Sequence, residues 1–178
     1  MKKNRTTWLV QVSTFAALMA LCAWISVPAF VPFTLQTFAV FFAAAMMGAK
    51  KGTLAVGLYI ALGAAGLPVF SGGQAGLGVL LGQTGGYIAG FLPGAFLCGF
   101  LAKKARLRPL LLFGAMLAGL LCVYITGSLW FAAVYLPKDS IYNLWTAFAT
   151  CVLPFAIPDI LKIALAVFVV RRVSKFIK

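Results

Sequence analysis

The chain has 178 residues, of which 63% are hydrophobic and only 10% are charged. A soluble domain carries roughly 25% charged residues, so the composition excludes an ordinary soluble protein and indicates an integral membrane protein. The formal net charge of +13 is compatible with nucleic-acid binding. The basic residues, however, form short clusters beside apolar runs, where charges that set membrane topology lie. We therefore expect a lipid bilayer, and no nucleic acid, as the surroundings of this chain.

Six apolar runs approach the roughly 20 residues that a helix needs to cross a bilayer. We predict helices for all of them, because a chain in hydrocarbon must satisfy its backbone hydrogen bonds internally. The predicted spans are about 7–27, 33–49, 52–66, 84–102, 109–135 and 146–170. The predicted fold class is therefore an all-α membrane protein with six transmembrane helices, in a single domain over residues 1–178.

The basic residues alternate between the connections. The N-terminus, the turn between spans two and three, the turn between spans four and five, and the C-terminus contain every Lys and Arg except Lys138 and Lys162. Since cytoplasmic connections are enriched in Lys and Arg, this pattern predicts that both termini are cytoplasmic. The remaining connections would then face outward.

The connection between the third and fourth spans is rich in glycine and is also apolar. It reads GLPVFSGGQAGLGVLLGQTGGY from Gly66, and glycine allows a backbone to adopt positive φ and to approach a ligand closely. We interpret residues 67–83 as an outer lid loop that folds over a pocket. The alternative is a re-entrant turn that only packs helices.

One of the two acidic residues lies inside the last apolar run, in PFAIPDILKIALA from Pro154. Residues three apart share a helix face, so Asp159 and Lys162 can pair. Counting back from Arg171 at 1.5 Å per residue places Lys162 roughly 14 Å and Asp159 roughly 18 Å into the membrane. A charge at such depth costs roughly 2.5–3.5 kcal/mol, so the pair must face the bundle interior. It either binds a polar ligand or is an internal ion pair that only fixes helix packing.

Other side chains are expected to meet this pair from the outer side of the membrane. A mostly apolar pocket with a few placed polar groups suits a small amphipathic ligand. Besides Asp159 and Lys162, the candidate binding residues are Phe33, Thr34, Gln36, Gly72, Gly73, Thr84, Gly85, Gly86 and Tyr87.

The residue inventory argues against an enzyme. There is no histidine, and the only acids are Asp139 and Asp159, so a Ser-His-Asp triad, a zinc site and a two-carboxylate site lack their parts. A GxxxxGK[ST] phosphate-binding loop is also missing, which excludes ATP hydrolysis of that kind by this chain. We expect no metal and no cofactor.

Three segments resemble the BioY family: TLQTFAVFFAA from Thr34, the glycine-rich stretch from Gly66, and PDILKIALA from Pro158. BioY proteins are the biotin-binding S components of energy-coupling factor (ECF) transporters. The resemblance implies a six-helix S component that binds biotin from outside, with Asp159 and Lys162 serving its polar groups and the lid loop closing over it. An S component for another vitamin, a self-sufficient ion-coupled transporter and a purely structural membrane protein remain open alternatives.

The resemblance also implies partners and a location. S components dock on a transmembrane T component through small residues of the first helix, and two separate ATPase subunits use the ATP. Ala16 and Ala20 match a small-xxx-small spacing, which permits close helix approach in lipid. The implied location is the plasma membrane of a prokaryote, which the chain crosses several times.

Overall fold

The computed structural model describes residues 2–27, 33–105, 107–135, 145, 148–149 and 152–176. Five helices among them are long and apolar enough to cross a membrane, which confirms the all-helical membrane class. The elements are α1 (Lys2–Trp24), β1 (Ser26–Val27), β2 (Phe33–Thr34), α2 (Gln36–Ala64), a 3-10 turn (Ser71–Gly73), α3 (Leu77–Leu81), α4 (Gly85–Ala105), α5 (Pro109–Tyr135) and α6 (Leu153–Phe176).

Helix α2 is a hairpin of two helices folded about Gly48. This residue has φ 76° and ψ 174°, a positive-φ conformation that glycine adopts without steric cost. A Cβ atom on Gly52 would lie only 2.7 Å from the Cα atom of Ala44, whereas eight residues of a continuous helix span about 12 Å. Gln36 Nε2 also donates to the Tyr59 hydroxyl at 2.8 Å. The two halves therefore run antiparallel, and the break lies at the end of the predicted run 33–49.

Several predicted helix ends differ from the structure: α1 begins at Lys2 and not at residue 7, the second span begins at Gln36 and not at residue 33, and α4 continues to Ala105. The first span was predicted to continue to residue 27, but α1 ends at Trp24 because Ser26–Val27 pairs antiparallel with Phe33–Thr34. The last span was predicted over 146–170, and α6 extends beyond its end to Phe176. The start of that prediction lies partly outside the described residues. Pro154 falls in the first turn of α6, where a helix tolerates the missing N–H.

Helices α4 and α5 approach closely because small residues line their contact. A Cβ on Gly94 would lie 2.8 Å from the carbonyl oxygen of Gly119, and a Cβ on Gly90 would overlap the Thr126 hydroxyl. Such spacing lets helix backbones come close in lipid, where apolar side chains gain little by leaving the solvent. This contact fixes the position of α5 beside the N-terminal half of α4.

Most basic residues gather at one end of the bundle. Lys51 Nζ contacts Gln11 Oε1 of α1 at 3.5 Å, and Ser174 Oγ of α6 lies 3.6 Å from Met46 Sδ. The start of α1, the turn at Gly48 and the end of α6 therefore lie together, and we call this the basic end. The opposite end carries the glycine-rich segment between α2 and α4, and we call it the loop end.

Candidate functional site

A cavity opens at the loop end between α2, α4, α5 and α6. The free space inside the cavity and its open mouth together amount to about 710 Å³. Apolar side chains such as Ile88, Phe91 and Val123 form part of its wall. Polar groups reach it from every side, so the cavity has the mixed lining that an amphipathic ligand requires.

Asp159 is the centre of the polar part of this cavity. Lys162 Nζ donates to its Oδ1 atom at 2.7 Å, the Thr37 hydroxyl donates to the same atom at 3.1 Å, and the Tyr124 hydroxyl donates to Oδ2 at 2.6 Å. Asp159 is 5% exposed and Lys162 is 6% exposed. The predicted pairing of these two residues in α6 is therefore confirmed as geometry.

The two hydroxyls explain how the chain tolerates this ion pair. Removing two charges from water costs several kcal/mol per ion, and mutual attraction repays that cost only when further hydrogen bonds satisfy the remaining polar atoms. Thr37 comes from α2 and Tyr124 from α5. The network thus joins three helices at one carboxylate. We call Asp159, Lys162, Thr37 and Tyr124 the carboxylate network.

An aromatic face covers Lys162. Its Nζ atom lies 3.9 Å from the centroid of the Phe33 ring, and Phe33 stacks on Phe155 with a centroid separation of 6.4 Å. A cation over an aromatic face is stabilised electrostatically. Among the described residues Asp159 is the only hydrogen-bond acceptor for this ammonium group, which carries three donors. Lys162 therefore keeps donor capacity for an oxygen atom of a ligand.

The loop covers the mouth of the cavity through Ser71 and Gln74, which line it. Phe70, immediately before them, is fully buried, and its ring meets Tyr59 edge-on at 5.6 Å. A Cβ on Gly63 would overlap the Phe70 ring, so a glycine is needed to seat it. Phe70 therefore anchors the loop next to the residues that face the cavity.

Two tryptophans hold the flanks of the same loop. Trp24 Nε1 donates to the carbonyl oxygen of Pro68 at 2.7 Å, and Trp130 Nε1 donates to that of Gly82 at 3.0 Å. The described segment is thus fixed at both flanks. Its motion as a lid stays a prediction.

Comparison with known proteins identifies the family. The sequence model described as the BioY family matches residues 1–178. The chain belongs to the BioY family. Because named members are transporters and because the described residues include five long apolar helices, this BioY-family chain is a multi-pass membrane protein of a transport system and not an enzyme.

Relatives of this BioY-family chain carry specific names. The biotin transporter BioY of Thermotoga maritima is 40% identical, with 94% of this chain and 95% of the relative covered. The biotin transporter BioY of Rhodobacter capsulatus is 37% identical, with 93% and 92% covered. A solved structure, the S-component for biotin from an ECF-type ABC transporter, superposes with a TM-score of 0.87 at 29% identity. That comparison covers 98% of this chain and 94% of the solved one.

The structure brings most of the predicted binding residues of this BioY-family chain to the cavity. Phe33 lies beside the cavity, on Lys162. Those that line the cavity directly are Thr34, Gln36, Thr84, Tyr87, Asp159 and Lys162.

The four glycines predicted to contact ligand do not line the described cavity. Gly72 and Gly73 have φ values of 64° and 79°, and they form the tight turn that presents the adjacent polar residues. A Cβ on Gly85 would overlap the backbone of the preceding turn, and a Cβ on Gly86 would overlap Trp130. These glycines shape the loop and pack α4 against α5, and none of them is among the lining residues.

The predicted docking pair of α1 does not form an outward stripe. Ala16 is 2% exposed and packs inside the chain, and Ala20 is half-buried, whereas Ala17 and Leu21 are exposed. Ala16 belongs to the hydrophobic core of the chain, and the neighbour that α1 contacts most is α2. As the chain stands, a partner helix on α1 would meet the face that carries Ala17 and Leu21.

Sequence reasoning missed two contributions to the site. Tyr124 binds Asp159 more closely than any other described hydroxyl, but it is a single tyrosine in a long apolar helix. Ser71 and Gln74 line the cavity, and the sequence carries a signal for them: with Gln83, they are the polar residues of an otherwise apolar glycine-rich loop.

Proposed function

We propose that this chain is the biotin-binding S component of an ECF transporter. The observation that carries the proposal is the buried carboxylate network facing a largely apolar cavity. The names of the relatives and of the solved neighbour support the same ligand. Biotin would be captured from outside and would pass inward when the chain is docked to a T component with two ATPase subunits. The chain itself would need no cofactor.

The chemistry of biotin matches the cavity. Its ureido group offers two N–H donors and a carbonyl acceptor, its valerate ends in a carboxylate, and its fused rings are apolar. Lone pairs of Asp159 accept an N–H group, and Lys162 donates to an oxygen atom. Phe33, Ile88 and Phe91 provide apolar contact for the rings. A site with one cation and one anion suits a ligand that presents donors and acceptors together.

The membrane orientation follows from the two ends of the bundle. All Lys and Arg residues except Lys138 and Lys162 belong to four segments of the sequence: the N-terminus, the turn at Gly48, the connection between α4 and α5, and the C-terminus. The described parts of these segments lie at the basic end, and positive charge favours the cytoplasmic side. The loop end, with the cavity, would then face outward. The antiparallel halves of α2 would make six crossings in total, with both termini cytoplasmic, in the plasma membrane of a prokaryote.

The test is a calorimetric titration of purified, ligand-stripped protein with biotin, riboflavin and thiamine. We expect one-to-one binding of biotin and no heat from the other vitamins. Desthiobiotin, which lacks the sulfur atom, and biotin methyl ester, which lacks the charged carboxylate, would show which end of biotin meets the network. A well-folded protein that binds riboflavin or thiamine and not biotin would overturn the assignment.

A further inference from the structure

A second cleft lies at the basic end, away from the carboxylate network. It runs between the turn at Gly48 and the last part of α4, and lysines project from both of its walls. The lysines are Lys50 and Lys51 on the turn and Lys103 and Lys104 on α4. We call this the lysine cleft.

A close backbone contact builds the lysine cleft. Gly48 turns the chain through positive φ, and Gly99 of α4 faces the turn directly, so that a Cβ on Gly99 would lie 2.5 Å from the Ala49 nitrogen. Two glycines thus allow the turn to rest on α4. This contact brings two pairs of ammonium groups to opposite walls of one cleft.

The described residues supply no negative side chain to compensate these charges. Only two acidic residues exist in the sequence, and Asp159 is paired with Lys162. The described contacts of the cleft lysines are uncharged: Lys51 meets Gln11. Four like charges in one cleft therefore attract an anion from outside the chain.

The part of the lysine cleft that α4 forms next to its lysines is apolar. Phe96 and Phe100 are 51% and 48% exposed, and they precede Lys104 on the same face of α4 at spacings of four residues. Lys104 Nζ lies 4.6 Å from the centroid of the Phe100 ring. A ligand for this cleft therefore needs a negative head at the lysines and an apolar tail along the aromatic rings.

We propose that the lysine cleft binds an anionic phospholipid, with its phosphate headgroup between the lysines and an acyl chain along Phe96 and Phe100. Basic pockets between transmembrane helices on the cytoplasmic side attract such headgroups, and an acidic protein surface would leave the two phenylalanines without a partner. The inference rests on the embedding of the chain in a membrane and does not depend on which vitamin the cavity binds.

The test compares lipids with matched acyl chains on the full-length purified protein. Native mass spectrometry would follow the binding of phosphatidylglycerol and phosphatidylcholine to the wild type, to Lys103→Gln/Lys104→Gln and to Arg171→Gln/Arg172→Gln. The third protein loses the same charge at the same end, but on α6 and outside the cleft. The thermal unfolding midpoint in detergent would show that all three proteins are folded.

We expect phosphatidylglycerol to bind the wild type more tightly than phosphatidylcholine does. The lysine variant should bind phosphatidylglycerol roughly 30-fold more weakly, because each interfacial cation contributes about a fivefold gain in affinity. The arginine variant should bind it less than about threefold more weakly than the wild type. Equal losses in the two variants would mean general surface attraction and would overturn the site. Absence of any preference for phosphatidylglycerol would also overturn it, and would leave an acidic protein as the partner to test.

Two further experiments test whether the ligand of the cleft is a lipid. Phe96→Ala/Phe100→Ala should weaken binding of the long-chain lipid while leaving that of water-soluble glycerol phosphate unchanged. Inorganic phosphate should displace the lipid poorly, since it has no tail for the aromatic wall. If phosphate displaces it completely at about equal concentration, the cleft is a free-anion site and the lipid proposal is wrong.

Discussion

The two ends of the bundle treat positive charge in opposite ways. At the loop end, Lys162 is 6% exposed and its Nζ atom lies 2.7 Å from the Asp159 carboxylate. At the basic end, the lysines of the lysine cleft have no carboxylate among the described residues. The first arrangement is neutral as a whole and suits a ligand that mixes donors and acceptors. The second is strongly positive and attracts an external anion.

This difference shows what each lysine contributes to the fold. A buried charge without its partner is costly, because water no longer solvates it. A charge at the membrane surface keeps its water or its lipid and costs little to remove. The same residue type should therefore be indispensable at one end and dispensable for folding at the other.

The largest expected effect tests this contrast directly. Lys162→Met leaves the Asp159 carboxylate buried without its cation, and should lower the free energy of unfolding by about 3–5 kcal/mol. Lys103→Met at the surface of α4 should change it by less than about 0.5 kcal/mol. Denaturant titration of both proteins in the same detergent would measure the two values. Similar losses at the two sites would break the comparison.

The double variant Asp159→Leu/Lys162→Met sharpens the same contrast. Replacing both partners of a buried ion pair with apolar residues is often neutral or stabilising. Here it also removes the acceptor of the Tyr124 and Thr37 hydroxyls, which costs about 1–3 kcal/mol, so the double variant should be more stable than Lys162→Met but less stable than the wild type. Denaturant titration would again be the measurement. A double variant as unstable as Lys162→Met would show that the charges themselves are needed for folding.

The next effect concerns two buried tyrosines. Tyr124→Phe removes a hydrogen bond to a carboxylate, worth about 1.5–3 kcal/mol, whereas Tyr59→Phe removes the hydrogen bond from the Gln36 amide, worth about 0.5–1.5 kcal/mol. Both substitutions delete one hydroxyl oxygen, so each is the control for the other. Because Tyr124 also lines the cavity, its loss should weaken biotin binding about tenfold or more. Titration calorimetry that shows a larger loss of biotin affinity for Tyr59→Phe than for Tyr124→Phe would contradict this ranking.

The smallest effect concerns the loop. Gly63→Ala places a methyl group against the Phe70 ring and should destabilise the chain by about 1–3 kcal/mol through overpacking. Gly78→Ala, in α3, has open space at the same atom and should be close to neutral. Stopped-flow measurement should show faster biotin dissociation only for Gly63→Ala. Equal rates in the two variants would mean that Phe70 does not anchor the covering loop.

The Asp159–Lys162 pair was predictable from the sequence because a charge inside an apolar run has a large physical cost. That cost forces a partner and an interior position, whatever the rest of the fold is. Tyr124 carries no such signal, since a hydroxyl group in a membrane helix is cheap to accommodate. Its place beside Asp159 depends on how α5 packs against α6, which no local pattern encodes.

The role of small residues is hard to predict from the sequence, because a missing side chain fits several kinds of contact. The absence of a side chain at Gly86 serves a ligand or a neighbouring helix equally well, and only the structure shows Trp130 in the space. The spacing of Ala16 and Ala20 likewise fits an external helix or an internal one, and burial of Ala16 favours the internal contact. The break near Gly48 was predictable because two apolar runs flank a pair of lysines that membrane interiors exclude.

The most direct test of the account is a biotin titration of Asp159→Leu/Lys162→Met beside the wild type, with the unfolding free energy of both measured in the same detergent. The account predicts one-to-one binding to the wild type and, in a folded double variant, binding weaker by at least about 1,000-fold, or about 4 kcal/mol. A stable double variant that still binds biotin within about threefold of the wild type, a difference of about 0.7 kcal/mol, would contradict it. The pair would then only hold helices together, and the ligand would be held by other groups of the cavity.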